Sequence, residues 1–318
     1  MPFSTPPFRP ILSMALTVNP ADGERLSDAL LDFDAQDPAF SVITERQTGV
    51  CVIRGSSERH LRSICERISR EYLIDISLGE PQVIFIETIR KAARAEGKYI
   101  RQTGGSGNYG HVKIRLEPNE LGKDFEFVNE LEGGVIPDAY IKPIEQGIRQ
   151  AAQAGILASR EVVSFKATLY DGSCHELDSN EMAFRIAGAL AFKEAARKAN
   201  PVLLEPVMAV TVTAPEEHMG TIIADINSRR GRIEGIEHVG GLRAIKAIVP
   251  LADLLGHTDK LRSQFSDRVS CTMEFARYES RPYGSLGDGS EAGFPVTRPH
   301  GPTPRMGSAA VDPDSDWT

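Results

Sequence analysis

The chain has 318 residues, 41% of them hydrophobic and 25% charged, enough to bury the cores of two or three domains. Its formal charge of −8 opposes non-specific attraction to nucleic acid, so any RNA contact has to come from local basic clusters. No apolar run approaches the roughly 20 residues of a membrane span, and Met1-Pro2-Phe3-Ser4 lacks the basic-then-apolar order of a signal peptide, so a cytoplasmic protein with no membrane partner is expected.

In chain order, residues 1–9 read as a Pro-rich, disordered or linker segment. Residues 10–80 carry a strand at Ile11 to Leu16 and a helix opened by Asn19-Pro20, with Leu26, Ala29, Leu30 and Phe33 on one face. A hairpin, Phe40 to Gln47 and Gly49 to Arg54, follows. A helix from Ser57 to Tyr72 then presents Leu61, Ile64, Cys65 and Ile68 at helical spacing, and a strand runs from Leu73 to Leu78. The order is βαββαβ, the split ferredoxin-like unit.

Residues 81–204 place strands first, at Val83 to Arg90, Lys98 to Gln102, His111 to Glu117 and Phe125 to Leu131. They are followed by a helix Ile141 to Ala154, a strand Val162 to Tyr170 and a helix Asn180 to Ala199. Strands followed by helices indicate an α+β domain. Residues 205–279 repeat the first order: a strand Val207 to Thr213, a helix Pro215 to about Arg230, strands Arg232 to His238 and Leu242 to Val249, a helix Leu251 to Phe265, and a strand Ser270 to Tyr278. Residues 280–318, rich in Gly, Pro and Ser, read as a disordered tail. The fold class is therefore α+β, with two ferredoxin-like units flanking a central α+β domain.

The four cysteines, Cys51, Cys65, Cys174 and Cys271, form no C-x-x-C pair, so neither a zinc knuckle nor a disulfide framework is encoded. No cofactor and no metal are expected. The stretch "GSGNYGHV" matches G-x-G-x-x-G, yet it opens a strand, where a dinucleotide loop opens a helix. No V-A-I-K, H-R-D or D-F-G follows, which removes the kinase reading. The segment joins two strands as a hairpin tip. One reading is a flexible connection. The other is a loop whose four glycines, Gly104, Gly105, Gly107 and Gly110, permit close backbone approach to a nucleic acid, beside Tyr109 and His111 as stacking groups and Lys98 and Arg101 on the entering strand.

A second constellation, "GSCHELDSNE", joins a strand to a helix. Asp178 and Glu181 have capping-box spacing. His175, Glu176, Asp178 and Glu181 are alternatively a metal or acid/base set, though no second His lies four residues on. A third reading has His175, beside a helix N-terminus, touching RNA. In "NSRRGR", Arg229 and Arg230 close a helix with Gly231 as cap, and their guanidinium groups are available to phosphates.

The segments "GKYIRQTGGSGNYGHVKIRLEP", "FVNELEGGVIPDAYIKPIEQGI", "DGSCHELDSNEMAFRIAGALAFKEAARKANPVLLEPVM" and "INSRRGRIEGIEHVGGLRAIKAIVPLADLLGHTDKLRSQFSDRVSCTMEF" closely resemble the C-terminal half of bacterial elongation factor G. The match covers roughly Pro10 to Tyr278. The resemblance implies domain III at 10–80, domain IV at 81–204 and domain V at 205–279, with the tip of domain IV entering the decoding centre of the small ribosomal subunit during translocation. By the same resemblance Gly104, Gly105, Ser106, Gly107, Asn108, Tyr109 and Gly110 form the first tip loop, and His175, Asp178 and Ser179 belong to the second. Arg229 and Arg230 match a stretch of domain V that rests on large-subunit RNA.

Departures from the family pattern are Ser106 in place of a usual Arg, Ser57-Glu58-Arg59-His60-Leu61 in place of G-E-L-H-L, and Ala224 in place of a usual Gly. The sequence contains no G-x-x-x-x-G-K-[ST] phosphate loop, so GTP hydrolysis is not expected of it. The expected function is ribosome binding, to ribosomal RNA and to the messenger and transfer RNA of the decoding centre, in translocation or its modulation. The alternatives are half of a split or truncated factor with a separate GTPase-domain chain as partner, and a metal-dependent enzyme built on the His175 loop.

Overall fold

The computed structural model describes residues 9–44, 50–103, 106–120, 122–256 and 269–281. The first unit contains β1 (Leu12–Val18), α1 (Gly23–Gln36), β2 (Ser41–Thr44), β3 (Cys51–Gly55), α2 (Glu58–Tyr72), β4 (Ile76–Leu78) and the short β5 (Gln82–Val83). The strands pair in the order β2-β3-β1-β4, the ferredoxin-like arrangement, with β5 added against the start of β1. Both helices bury the face their apolar spacing defines: Leu26, Ala29, Leu30 and Phe33 from α1, and Leu61, Ile64, Cys65 and Ile68 from α2. Ser57 caps α2 by accepting from the His60 N–H at 3.1 Å. The His60 ring then bonds the Asp37 carboxylate at 2.8 Å, tying the start of α2 to the end of α1. Burial raises the Asp37 pKa, but the Ala39 N–H and His60 outweigh it and leave that carboxyl below its ordinary value.

The central unit contains β7 (Ala93–Thr103), β8 (Ser106–Pro118), β9 (Glu126–Asn129), α3 (Ile141–Ala154), β10 (Phe165–Ser173) and α4 (Glu181–Lys198), preceded by β6 (Ile86–Ile89). Its sheet runs β7-β8-β10-β9, and β9 lies parallel to β10 with α3 as the crossover. Val112, Ile114 and Leu116 alternate into a core with Phe165, Leu169, Ile144, Ile148, Phe184 and Phe192. Glycine sets the spacing of this layer. A Cβ at Gly97 of β7 would stand 2.0 Å from the Ala187 carbonyl oxygen of α4, and one at Gly147 of α3 would stand 2.0 Å from the Arg185 carbonyl oxygen.

The third unit contains β11 (Pro201–Ala214), α5 (Met219–Ser228), β12 (Arg232–Val239), β13 (Leu242–Pro250), α6 (Leu251–Leu254) and β14 (Ser270–Arg281). Its sheet order, β12-β13-β11-β14, repeats that of the first unit. Buried residues from the two units, among them Leu12, Met14 and Ile53 with Met208, Val210 and Val249, form one continuous apolar cluster.

The structure corrects several sequence-based expectations. The single strand expected at Val83 to Arg90 is two pieces: β5 joins the first sheet, and β6 pairs with β11 of the third. The strand expected from Val207 begins at Pro201, because Leu203 and Leu204 are buried between β6 and β14. The last strand runs to Arg281, opposite Leu203, past the residue where a tail was expected. Of the helix expected at Leu251 to Phe265, α6 is its beginning and residues 257–268 lie outside the described residues. So do the end of the first hairpin arm, residues 45–49, together with residues 1–8 and 282–318.

The turn between α3 and β10 is organised by one carboxylate. Glu87, on β6, is 0% exposed and accepts hydrogen bonds from the N–H groups of Ile156 (2.7 Å), Leu157 (2.9 Å), Ala158 (2.8 Å) and Arg160 (3.1 Å). The turn closes around it through Gly155 at φ 76° and Ser159 at φ 53°. The Glu87 backbone also bonds Glu161 and Val163, each at 2.8 Å. A buried charge is tolerable only when satisfied in this way. Replacing Glu87 by Ala orphans four backbone donors, and a loss of at least about 3 kcal/mol in urea-unfolding stability is expected. A variant within about 0.5 kcal/mol of the parent would show that water replaces the carboxylate.

Candidate nucleic-acid interface

Strands β7 and β8 pair in register from Ala93 opposite Leu116 to Thr103 opposite Ser106. Gly104 and Gly105 fall outside the described residues. Most of the expected glycine-rich loop is therefore strand, and its remaining glycines serve packing inside the protein. A Cβ at Gly107 would lie 2.4 Å from the Asp178 carboxyl carbon, and one at Gly110 would lie 2.6 Å from the Ala183 carbonyl at the start of α4. Neither has positive φ. Close approach, and not conformational freedom, is the reason for glycine at both positions.

The structure brings the two predicted tip segments together. Asp178 accepts from the Gly107 N–H at 3.2 Å through its carboxylate, and from the Tyr109 N–H at 2.8 Å through its carbonyl. The Ser179 hydroxyl donates to the Tyr109 carbonyl at 3.0 Å and accepts from the His175 N–H at 2.9 Å. Asn180 donates to the Asn108 side chain at 2.7 Å. Ser173, which the sequence reading passed over, places its hydroxyl 2.7 Å from the Tyr109 hydroxyl and 2.8 Å from His111 Nδ1. Tyr140 stacks on Phe184 at 4.7 Å and donates to the Ser179 carbonyl at 3.1 Å, supporting the second segment from beneath.

Capping is also reassigned. Asn180, in place of Asp178, caps α4, its side chain accepting from the Ala183 N–H at 2.9 Å. Asp178 is thereby released to bridge the segments. His175 is half exposed, and its Nδ1 receives the N–H groups of Leu177 (3.4 Å) and Asp178 (3.3 Å) and stands 3.4 Å from the Asp178 carboxylate. Among the described residues no group of three or more His, Cys, Asp or Glu is placed to hold a metal ion. In the second segment Leu177 is 89% exposed, and Lys98 and Arg101 stand exposed on β7. Below the tip Lys113 bonds Asp171 at 2.7 Å; that bond, with the Gly172 N–H, holds the Asp171 carboxyl below its ordinary pKa.

Arg229 and Arg230 sit elsewhere, at the end of α5, and neither guanidinium is free. Arg229 bonds the Asp225 carboxylate at 3.1 Å and the Asp253 carbonyl at 2.8 Å. Arg230 forks onto buried Glu205 at 2.8 and 3.0 Å and also bonds Asp253 at 2.8 Å. Those bonds to Glu205 hold its pKa above the ordinary guanidinium value. The residue in the left-handed conformation after α5 is Arg230, at φ 57°, and not the expected cap Gly231. Gly231 is glycine because a Cβ there would stand 2.5 Å from Ile226. Asp225 lies four residues before Arg229 on α5, a readable pairing, whereas sequence spacing does not reveal Glu205 or Asp253.

The close contact at Gly110 generates a test. Gly110→Ala is expected to lower thermal-unfolding stability by about 1–3 kcal/mol, since the opposing atoms are backbone. Gly220→Ala in α5, which meets nothing within 4 Å, is expected to be neutral or stabilising by up to about 1 kcal/mol.

Three family models match consecutive segments: elongation factor G domain III over residues 8–80, elongation factor G domain IV over 81–200, and the elongation factor G C-terminus over 202–283. Elongation factor G of Fervidobacterium nodosum is 50% identical over 274 residues, covering 86% of this chain and 40% of that protein. A crystal structure of a Thermus thermophilus protein matches with a TM-score of 0.62 at 40% identity, covering 88% of this chain and 42% of that one. The chain thus spans about two fifths of the length of each of these relatives. The three matched segments follow one another along the chain, and the chain belongs to the elongation factor G family, over domain III, domain IV and the C-terminal segment.

Proposed function

We propose that this chain is a ribosome ligand that acts in translocation or its modulation, docking the domain IV tip against RNA in the decoding centre. The observation that carries the reading is the joined pair of tip segments of a closely packed α+β domain, clamped by Asp178, Ser179 and Asn180. A preformed surface of this kind fits an RNA duplex by shape and backbone, which suits a chain of net charge −8 better than a broad basic patch would. Exposed Lys98 and Arg101 supply the local positive charge, and His175 and Leu177 stand exposed on the second segment. Arg229 and Arg230 are assigned a structural role in place of phosphate contact, because their guanidinium groups are committed to Asp225, Glu205 and Asp253.

We assign no GTP hydrolysis to these residues. The matched segments are domains III, IV and the C-terminus, and the sequence holds no phosphate loop. The chain spans 40% and 42% of these two relatives, and a second reading has a GTPase-domain chain complete the factor. Linked contacts would then raise the affinity without altering the tip.

Co-sedimentation with 70S ribosomes tests the first reading. Binding is expected at about 50 mM salt, falling steeply by about 200 mM, and weakened by Lys98→Glu combined with Arg101→Glu. Binding that ignores both salt and the charge reversal would remove the tip from the contact. Co-purification with an added GTPase-domain chain would establish the second reading.

A further inference from the structure

We propose that Asp178 is a positioning residue and not an RNA ligand: its carboxylate holds the first tip segment in register with the second through the Gly107 N–H. The proposal rests on the RNA-contact reading of the tip and deepens it. Two observations carry it. The carboxylate bonds Gly107 N at 3.2 Å while the same residue's carbonyl bonds Tyr109 N at 2.8 Å, so one residue grips two successive inward N–H groups of β8. The space over Gly107 is filled by that carboxylate, with a Cβ there falling 2.4–2.7 Å from its three carboxyl atoms. Gly107 and Asp178 are therefore mutually dependent, since a change of either side chain disturbs the other.

Chemistry points the same way. A carboxylate facing RNA phosphate is repelled, whereas one spent on a backbone N–H is satisfied and leaves the surface to its neighbours. Asp178 also stands 3.4 Å from His175 Nδ1, which accepts the Leu177 and Asp178 N–H groups.

Two readouts on the full chain test this. In the free protein, the Gly107 amide proton shift is expected to follow a carboxyl titration in acid, and that step is expected to vanish in Asp178→Asn. On ribosomes, Gly107→Ala and Asp178→Ala are each expected to weaken binding about tenfold, and the double variant by the same factor. Asp178→Asn, which keeps an acceptor oxygen, is expected to stay within about twofold of the parent. Additive losses, or an Asp178→Asn loss equal to that of Asp178→Ala, would make Asp178 a direct RNA contact and overturn the proposal. A Gly107 amide that ignores acid would also overturn it. Absence of ribosome binding by the parent chain would instead defeat the functional reading, with the amide titration still deciding the strut.

Discussion

A carboxylate with no exposed surface, Glu87, stands inside a ring of four backbone N–H groups, and the turn that joins α3 to β10 is built around it. Burying that charge would be prohibitive without such partners. With them it pins the α3–β10 turn to β6, which itself pairs with β11 of the third unit. From the turn, α3 runs against α4 at the Gly147 and Gly188 contacts, and α4 crosses β7 at Gly97. The first residues of α4 lie on Gly110, so the tip is the far end of one continuous packed layer.

This arrangement gives the glycines of the tip a different meaning from the one their spacing invites. A glycine pattern is ambiguous because the same residue permits a phosphate cradle, a left-handed turn or a close crossing of two backbones. Gly110 belongs to the last class, lying against the Ala183 backbone, and Gly107 makes room for the Asp178 carboxylate: each faces its own protein. The surface offered outward then consists of side chains held from behind, Asn108, Tyr109, His175 and Ser179, whose polar atoms are tied to one another across the two segments. Rigidity of that kind lowers the ordering cost of binding a shaped RNA surface.

Much of the fold was legible because apolar periodicity is a local property. Leu61, Ile64, Cys65 and Ile68 announce α2, and they are its buried face. The ferredoxin-like order of both flanking units follows from element order, and their sheets have the strand sequence it implies. What escaped depends on long-range partners. The capping-box spacing of Asp178 and Glu181 is real in sequence, yet Asn180 holds the cap and Asp178 reaches Gly107, a partner 71 residues away. Arg229 and Arg230 read as available cations because nothing nearby in sequence reveals Glu205 or Asp253. The split of the 83–90 segment between two sheets was equally invisible, since β5 and β6 bury their residues against different neighbours with no change in composition.

Everything proposed for the tip requires that it be preformed in the free protein, and amide hydrogen exchange of the full chain tests this most directly. The amides of Gly107, Tyr109, Ser179 and Ala183 each have an acceptor within the tip, so slowed exchange approaching that of central β8 is predicted. Exchange of these four amides at the rate of an open loop would contradict the account: the tip would then order only on its target, and its shape could not be what the target selects.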